Sequence, residues 1–230
     1  MSSSPSVSVP SSNGDGNVVA ALPEKRVPFW KNPYFLVFLG GCAFLTAIRP
    51  LMVREPPAPP VQGVLPLFNL TNQYGQPMGS QQLEGNVYVA NFVFTSCVSV
   101  CPLIVQSVKQ LQGRFEESKI PVRIVSFSVD PTTDTPEVLK AYGSRAGVDF
   151  SRWSLLTGSE IEVRKVLAGF SLSLEPKRIV DGGMMDIAHS QKLAIVDAKG
   201  AIRGFYGTDK DGLDEVFHRS QHVLREMKAN

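Results

Sequence analysis

The sequence predicts an α/β sandwich carried behind a membrane-spanning helix, and three observations predict it. Two apolar, β-prone runs, residues 87–94 and 122–129, are each followed by a helical stretch, and a hairpin and a final helix come after them. That alternation belongs to a sheet covered by helices. Residues 32–48 are 17 positions without a charge, the short end of a transmembrane span. Between span and body stands Glu55-Pro56-Pro57-Ala58-Pro59-Pro60, which reads as a stiff polyproline spacer.

The expected division is a disordered cytoplasmic tail (1–31), a transmembrane anchor (32–53), a proline-rich linker (54–60) and a folded body (61–230). The tail is rich in Ser, Pro, Val, Asn and Gly and has no usable apolar period. No Arg precedes Arg26, which speaks against a mitochondrial transit peptide. Trp30 and Tyr34 fit an interfacial belt, and Leu51, Met52 and Val53 extend the span if Arg49 snorkels. Lys25, Arg26 and Lys31 precede the span and Arg49 and Arg54 follow it. This excess puts the N-terminus in the cytoplasm and the body outside. Leu39-Gly40-Gly41-Cys42 resembles a lipobox, but the leader would be unusually long and the apolar run continues past Cys42.

Hydrophobic residues make up 43% of the 230, enough for a packed core. Residues 1–60 hold five of the 23 Lys/Arg and three of the 21 Asp/Glu. The body is therefore neutral and carries no basic nucleic-acid footprint. Three cysteines, Cys42, Cys97 and Cys101, are too few for a disulfide scaffold.

Within the body, runs 65–70 and 76–79 flank Asn72-Gln73-Tyr74-Gly75 as a hairpin. Strand 87–94 stops at Thr95-Ser96, which can cap a helix running to about residue 117. After strand 122–129, Thr135 caps a helix with Pro136 at its first position, running to about residue 145. Residues 153–156 make a short strand, and Ser159 with Glu162 reads as a capping box for a helix to about residue 168. A long loop, 175–188, contains Gly182-Gly183-Met184-Met185. Runs 190–196 and 201–206 straddle Ala198-Lys199-Gly200 as an antiparallel hairpin, and a helix over about 213–227 closes the chain.

The chemistry concentrates at Cys97 and Cys101, four residues apart at or near the start of a helix, just after a central strand. Residues i and i+4 share a helix face with Cβ atoms roughly 5–6 Å apart. That suits two thiolates on one metal ion and lets a disulfide form only with local adjustment. A helix N-terminus favours thiolate over thiol. The carboxyl end of a central strand is where open α/β sheets place their sites. The stretch suits soft-metal binding, redox cycling or both.

Residues 61–228 resemble the Sco/SenC family, thioredoxin-fold proteins that handle copper for cytochrome c oxidase assembly. The resemblance rests on Phe94-Thr95-Ser96-Cys97 through Cys101-Pro102, on Ser128-Val129-Asp130-Pro131 with Asp134-Thr135-Pro136, and on Ala188-His189-Ser190 ahead of a strand. It implies a thioredoxin-like sandwich and copper, Cu(I) or Cu(II), held by Cys97, Cys101 and His189. Two thiolates and an imidazole suit Cu(I), and hold Cu(II) with a further weak ligand. The implied partner is the copper-bearing subunit of cytochrome c oxidase or its precursor. The implied place is a bacterial inner membrane with the body in the periplasm. The chain departs from the family pattern at Val98-Ser99-Val100, where a Pro and an Asp are usual, and at Ala188, where many relatives have Asp. Those changes bear on the surroundings of the copper and on its acceptor.

Two activities are expected from this scaffold. One is a metallochaperone, not an enzyme in the strict sense. The other is a thiol–disulfide reductase using Cys97 and Cys101 as a redox pair on the cysteines of a copper-site precursor, with thiol–disulfide or copper-chaperone partners of its own. Met184 and Met185 are soft donors close in sequence to His189. His218 and His222 stand at i and i+4 on the last helix and can chelate a metal. They lie beside the face marked by Leu213, Val216, Phe217, Leu224 and Met227, however, and read as a solvated edge. Asp130 and Asp134 read as turn and cap chemistry.

Overall fold

The structure, a computed structural model, describes residues 30, 32–52, 56–96, 101–172, 179–180, 184–185 and 192–229. The expected tail (1–31) apart from Trp30, and Val53, Cys97 and His189, lie outside the described residues. The chain divides into two units, Met1–Glu55 and Pro56–Asn230.

In the first unit a helix, α1, spans Pro33–Met52. Asn32 caps it, its side-chain oxygen accepting from the Tyr34 N–H at 3.0 Å, with Pro33 at the first helical position. Leu36, Val37, Phe38, Leu39, Phe44 and Leu45 are all exposed, so apolar side chains surround the helix. Among the described residues no helix is long and apolar enough to cross a membrane. The uncharged part of α1 ends before Arg49, which gives about 24 Å of apolar helix against about 30 Å of hydrocarbon. The helix expected over 32–53 is present; its crossing of a membrane is not carried by the fold.

The second unit contains β1 (Gly63–Val64), β2 (Asn69–Asn72), β3 (Pro77–Gly79), α2 (Ser80–Leu83), β4 (Tyr88–Val93), α3 (Cys101–Glu117) and β5 (Arg123–Ser128). It continues with α4 (Pro136–Ala146), β6 (Trp153–Thr157), α5 (Glu160–Gly169), β7 (Ile179–Val180), β8 (Met184–Met185), β9 (Lys192–Val196), β10 (Ala201–Gly207) and α6 (Lys210–Ala229). Eight strands form one sheet in the order β1-β10-β9-β4-β5-β6-β2-β3. β4, β5 and β6 run parallel at its centre, and β9 runs antiparallel to β4.

β4 explains the layering. All six of its residues are buried. Val89 and Val93 enter a core with Val105, Val108 and Leu111 of α3, Leu139 of α4 and Val216 of α6. Tyr88, Ala90 and Phe92 enter a second core with Phe127 of β5 and Val166, Leu167 and Phe170 at α5. A strand covered on both faces reads as a continuous apolar run, which is why its sequence does not alternate. α3 buries Ile104, Val105, Val108, Leu111 and Phe115, the three-and-four spacing of a helix lying on a sheet.

The caps of α4 and α5 hold, while α3 is given only from Cys101 and the residues between it and the expected Thr95-Ser96 start lie outside the described ones. The Thr135 hydroxyl accepts from the Val138 N–H at 3.3 Å, and Gly147 closes α4 at φ 67°, the left-handed geometry of a helix C-cap. Ser159 likewise accepts from the Glu162 N–H at 3.3 Å. Glu162, however, turns away from the capping box and accepts from the Asn69 N–H at 2.9 Å, tying α5 to β2. In α6 the buried residues are Leu213, Val216, Ser220, Val223 and Leu224. Met227 and Phe217, both expected on the buried face, are 37% exposed and half-buried respectively.

The stretch expected as one long loop includes a two-stranded ladder, with Ile179 opposite Met185 and Val180 opposite Met184. At the other end of the unit, Pro59 is buried and its carbonyl accepts from Arg203 Nε at 2.8 Å. The proline run therefore joins the body by this residue.

Candidate metal centre

β4 and β5 pair to their ends, Val93 opposite Ser128, and from that edge the chain passes toward α3. Cys101 is the first residue of α3. It is 4% exposed and carries a thiol. Cys97 and His189 lie outside the described residues, so Cys101 is the one expected ligand whose place is given: the start of the helix that follows β4. Among the described residues no three His, Cys, Asp or Glu side chains converge on a metal position. Met184 and Met185 stand in β8.

The chain just before the cysteines is held by Asp134, which is fully buried. Its Oδ1 accepts from the Thr95 N–H at 3.1 Å and from the Thr95 hydroxyl at 2.5 Å. Its Oδ2 accepts from the Ser128 hydroxyl at 2.5 Å. Ser128 Oγ in turn accepts from the Asp130 N–H at 3.1 Å, and the Asp130 carboxylate accepts from the Thr132 hydroxyl at 2.7 Å. One carboxylate thereby fixes the exit of β4, the end of β5 and the entry to α4. Burying a carboxylate without donors costs several kcal/mol, roughly, and these donors offset that cost. Sequence reasoning put turn or cap chemistry first for Asp134 and a contribution to the site second; the cap is the expected Thr135. The available signal was one carboxylate among small hydroxyl residues, Thr132, Thr133 and Thr135, which does not say where it points.

A second polar line lies under α3. Asn91, fully buried in β4, accepts from the Ser126 hydroxyl at 2.5 Å, and Ser126 Oγ accepts from the Trp153 indole N–H at 2.8 Å. The line crosses the three parallel strands. The Asn91 amide nitrogen is buried and has no hydrogen-bond partner among the described residues.

Outside, the first turn of α3 is open. Pro102 is exposed and Leu103 is 63% exposed, while Cys101 faces inward. Between α3 and α4 a cleft of ≈ 490 Å³ runs from Thr95 and Pro102 to Lys109 and Arg145. Lys109 Nζ donates to the Ala146 carbonyl at 2.8 Å and satisfies the end of α4.

The SCO1/SenC family model matches residues 58–225. A SCO1/SenC family lipoprotein from Bacillus anthracis shares 32% identity at a TM-score of 0.64, covering 72% of this chain and 97% of that one. BsSco, a member of the Sco family of cytochrome c oxidase assembly proteins in which a disulfide switch has been identified, shares 26% identity at a TM-score of 0.65, over 73% and 98% of the two chains. A putative copper-binding protein of Stutzerimonas stutzeri is 29% identical over 160 residues, 68% of this chain and 76% of that protein. The α/β body is the thioredoxin-like fold of these structures, its cysteine helix follows the central strand, and the match runs through nearly all of it: this chain belongs to the SCO1/SenC family.

Proposed function

We propose that this protein is a membrane-anchored copper metallochaperone that holds one copper through Cys97, Cys101 and His189 and delivers it in cytochrome c oxidase assembly. The observation that carries this reading is the junction itself: a buried Cys101 thiol at the first position of α3, after a strand exit fastened by Asp134, in a chain of this family. Two thiolates and an imidazole are a soft set suited to Cu(I). The name of the Stutzerimonas stutzeri relative supports copper, and the description of BsSco supports the oxidase pathway. Pro102 and Leu103 give an incoming copper-bearing subunit, or its precursor, an apolar foothold beside the ligands.

The anchor in this reading is α1, with the body in the periplasm of a bacterial cell. Its apolar run is short, so Arg49 must snorkel or the bilayer thin locally. A lipid on Cys42 is the other means of attachment, and the lipoprotein relative is in keeping with it.

The test is copper stoichiometry and visible spectrum for the whole chain in detergent, after reduction. One copper per chain is expected. Cys97→Ser or Cys101→Ser should weaken Cu(I) binding by about a hundredfold or more, roughly 3 kcal/mol. His189→Ala should keep Cu(I) on two thiolates and lose Cu(II), with its thiolate charge-transfer band fading or shifting. An unchanged Cu(II) spectrum in His189→Ala would remove the histidine from the ligand set. The second reading, a thiol–disulfide reductase acting on a copper-site precursor, has the BsSco disulfide switch in its favour. It would lead if His189→Ala kept full disulfide exchange and the wild type held no copper.

A further inference from the structure

α6 carries Asp211, Glu215, His218 and His222 at i, i+4, i+7 and i+11, one stripe along a helix. All four line a single cleft of ≈ 510 Å³. The stripe lies off the packed side of α6, which is Leu213, Val216, Ser220, Val223 and Leu224. His218 is exposed and His222 half-buried, and the His218 ring stands edge-on to Phe217 at 5.4 Å. Of the carboxylates around the cleft, Asp214 is paired with Arg114 at 2.6 Å and Glu215 with Arg219 at 2.9 Å. Asp211 leaves the group with a net negative charge.

We propose that His218 and His222 form a second metal site on this protein, a Cu(II) chelate of nitrogen and oxygen donors. Imidazoles one turn apart have Cβ atoms roughly 5–6 Å apart and can reach one ion with bonds of about 2 Å, as in two-histidine helix motifs. Cu(II) heads the divalent series for such donors, and the stripe holds no thiolate that would favour Cu(I). Among the described residues no three donors converge as the side chains stand. The chelate is therefore two imidazoles, completed by water and by a carboxylate turning in from the same stripe. For Glu215 that means leaving Arg219, a solvent-exposed pair that holds only weakly. The site is separate from the cysteine centre. Arg114, which meets Asp214, lies thirteen residues along α3 from Cys101, about 20 Å of helix.

The proposal does not rest on the function proposed above, and its test removes that site. The chain has three histidines. Cys42→Ser, Cys97→Ser, Cys101→Ser and His189→Ala together leave His218 and His222 as the only histidines and no thiol in the chain. Cu(II) titrated into this full-length variant against a competing chelator, followed by electron paramagnetic resonance, should give one ion per chain with hyperfine coupling from two imidazole nitrogens and no thiolate band. Adding His218→Ala or His222→Ala should weaken binding tenfold or more, and adding both should abolish it, with unchanged circular dichroism. As an independent arm, His218→Ala with His222→Ala in the otherwise wild-type chain should remove the second equivalent of Cu(II) and leave the thiolate band of the first. Binding in the first variant no tighter than in its double-histidine derivative overturns the site. So does an unchanged affinity after either single replacement.

Discussion

Two buried charges sit toward opposite ends of β4 and are satisfied in opposite ways. Asp134, at the carboxyl end, receives a backbone N–H and two hydroxyls, all neutral, from Thr95 and Ser128. Arg203, toward the amino end where Val196 pairs with Tyr88, donates to Asp197 at 3.0 Å, to Glu226 at 2.5 Å and to the Pro59 carbonyl at 2.8 Å. The neutral shell is directional, since each donor proton is aimed at one oxygen. It suits a strand exit that must be held still two residues before Cys97, a ligand in the proposed copper site. The ionic shell is a seam that joins the proline run, the β9–β10 hairpin and α6. Its geometry depends on a bulge: the register shifts between Ile202 and Gly204, which frees Arg203 from the ladder. Gly204 takes φ 154°, and a Cβ there would lie 2.5 Å from the Tyr206 hydroxyl.

The largest effect is expected at the first hub. Asp134→Ala leaves the half-buried Thr95 N–H and hydroxyl and the buried Ser128 hydroxyl without their acceptor, at a cost of about 4 kcal/mol. A lowered urea midpoint reads it. Copper affinity should fall too, by tenfold or more, because the exit of β4 slackens beside the ligands. Asp134→Asn, with the same shape, should fall between this variant and wild type in both measurements. Stability lost with copper affinity intact would make Asp134 structural only.

Arg203→Met should cost less, about 2 kcal/mol. The Glu226 side chain is already 42% exposed and rehydrates. Asp197 keeps the N–H groups of Lys199 and Ala201, each at 2.9 Å. Arg203→Lys should recover less than half of the loss, because an ammonium cannot span three acceptors set around a planar fork. Copper affinity should not change in either variant. A tenfold change would break the comparison, since both hubs would then feed one site.

Neither hub was legible in the sequence, although most elements around them were. β4, α3 and the Thr135–Pro136 start of α4 announce themselves within a few residues, through apolar runs, helical spacing and caps. Each hub joins distant positions: Thr95 to Asp134 across 39 residues, and Arg203 to Pro59 across 144. Glu162 shows the same limit. Its local pattern names a capping box, and its carboxylate instead meets Asn69, 93 residues away. Of the site, the cysteine at the head of a helix was legible because spacing and position are local. The carboxylate that fastens the strand exit before it was not, because an Asp before a helix cap reads alike whether it faces water or a strand end.

The smallest expected effect lies in base and belongs to the Arg203 end. Tyr88 is 2% exposed. Burial holds its phenol well above the usual value of 10, and the negative charge of Asp197 adds to the shift. The folded protein therefore keeps this proton more tightly than the unfolded chain does. Its contribution to stability is complete below about pH 10 and is lost as pH rises beyond that. Urea midpoints from pH 7 to 11 should give Tyr88→Phe a curve parallel to wild type up to about pH 10 and shallower above it. Tyr206, which burial also raises, stays in both proteins and cancels. Arg203→Met removes the cation that balances Asp197, but the folded phenol already keeps its proton throughout this range, so the alkaline limb should stay as steep as in wild type. Asp134→Asn should leave the steepness of that limb at the wild-type value. If Tyr88→Phe kept the wild-type steepness above about pH 10, the buried phenol would not be the source of the alkaline loss.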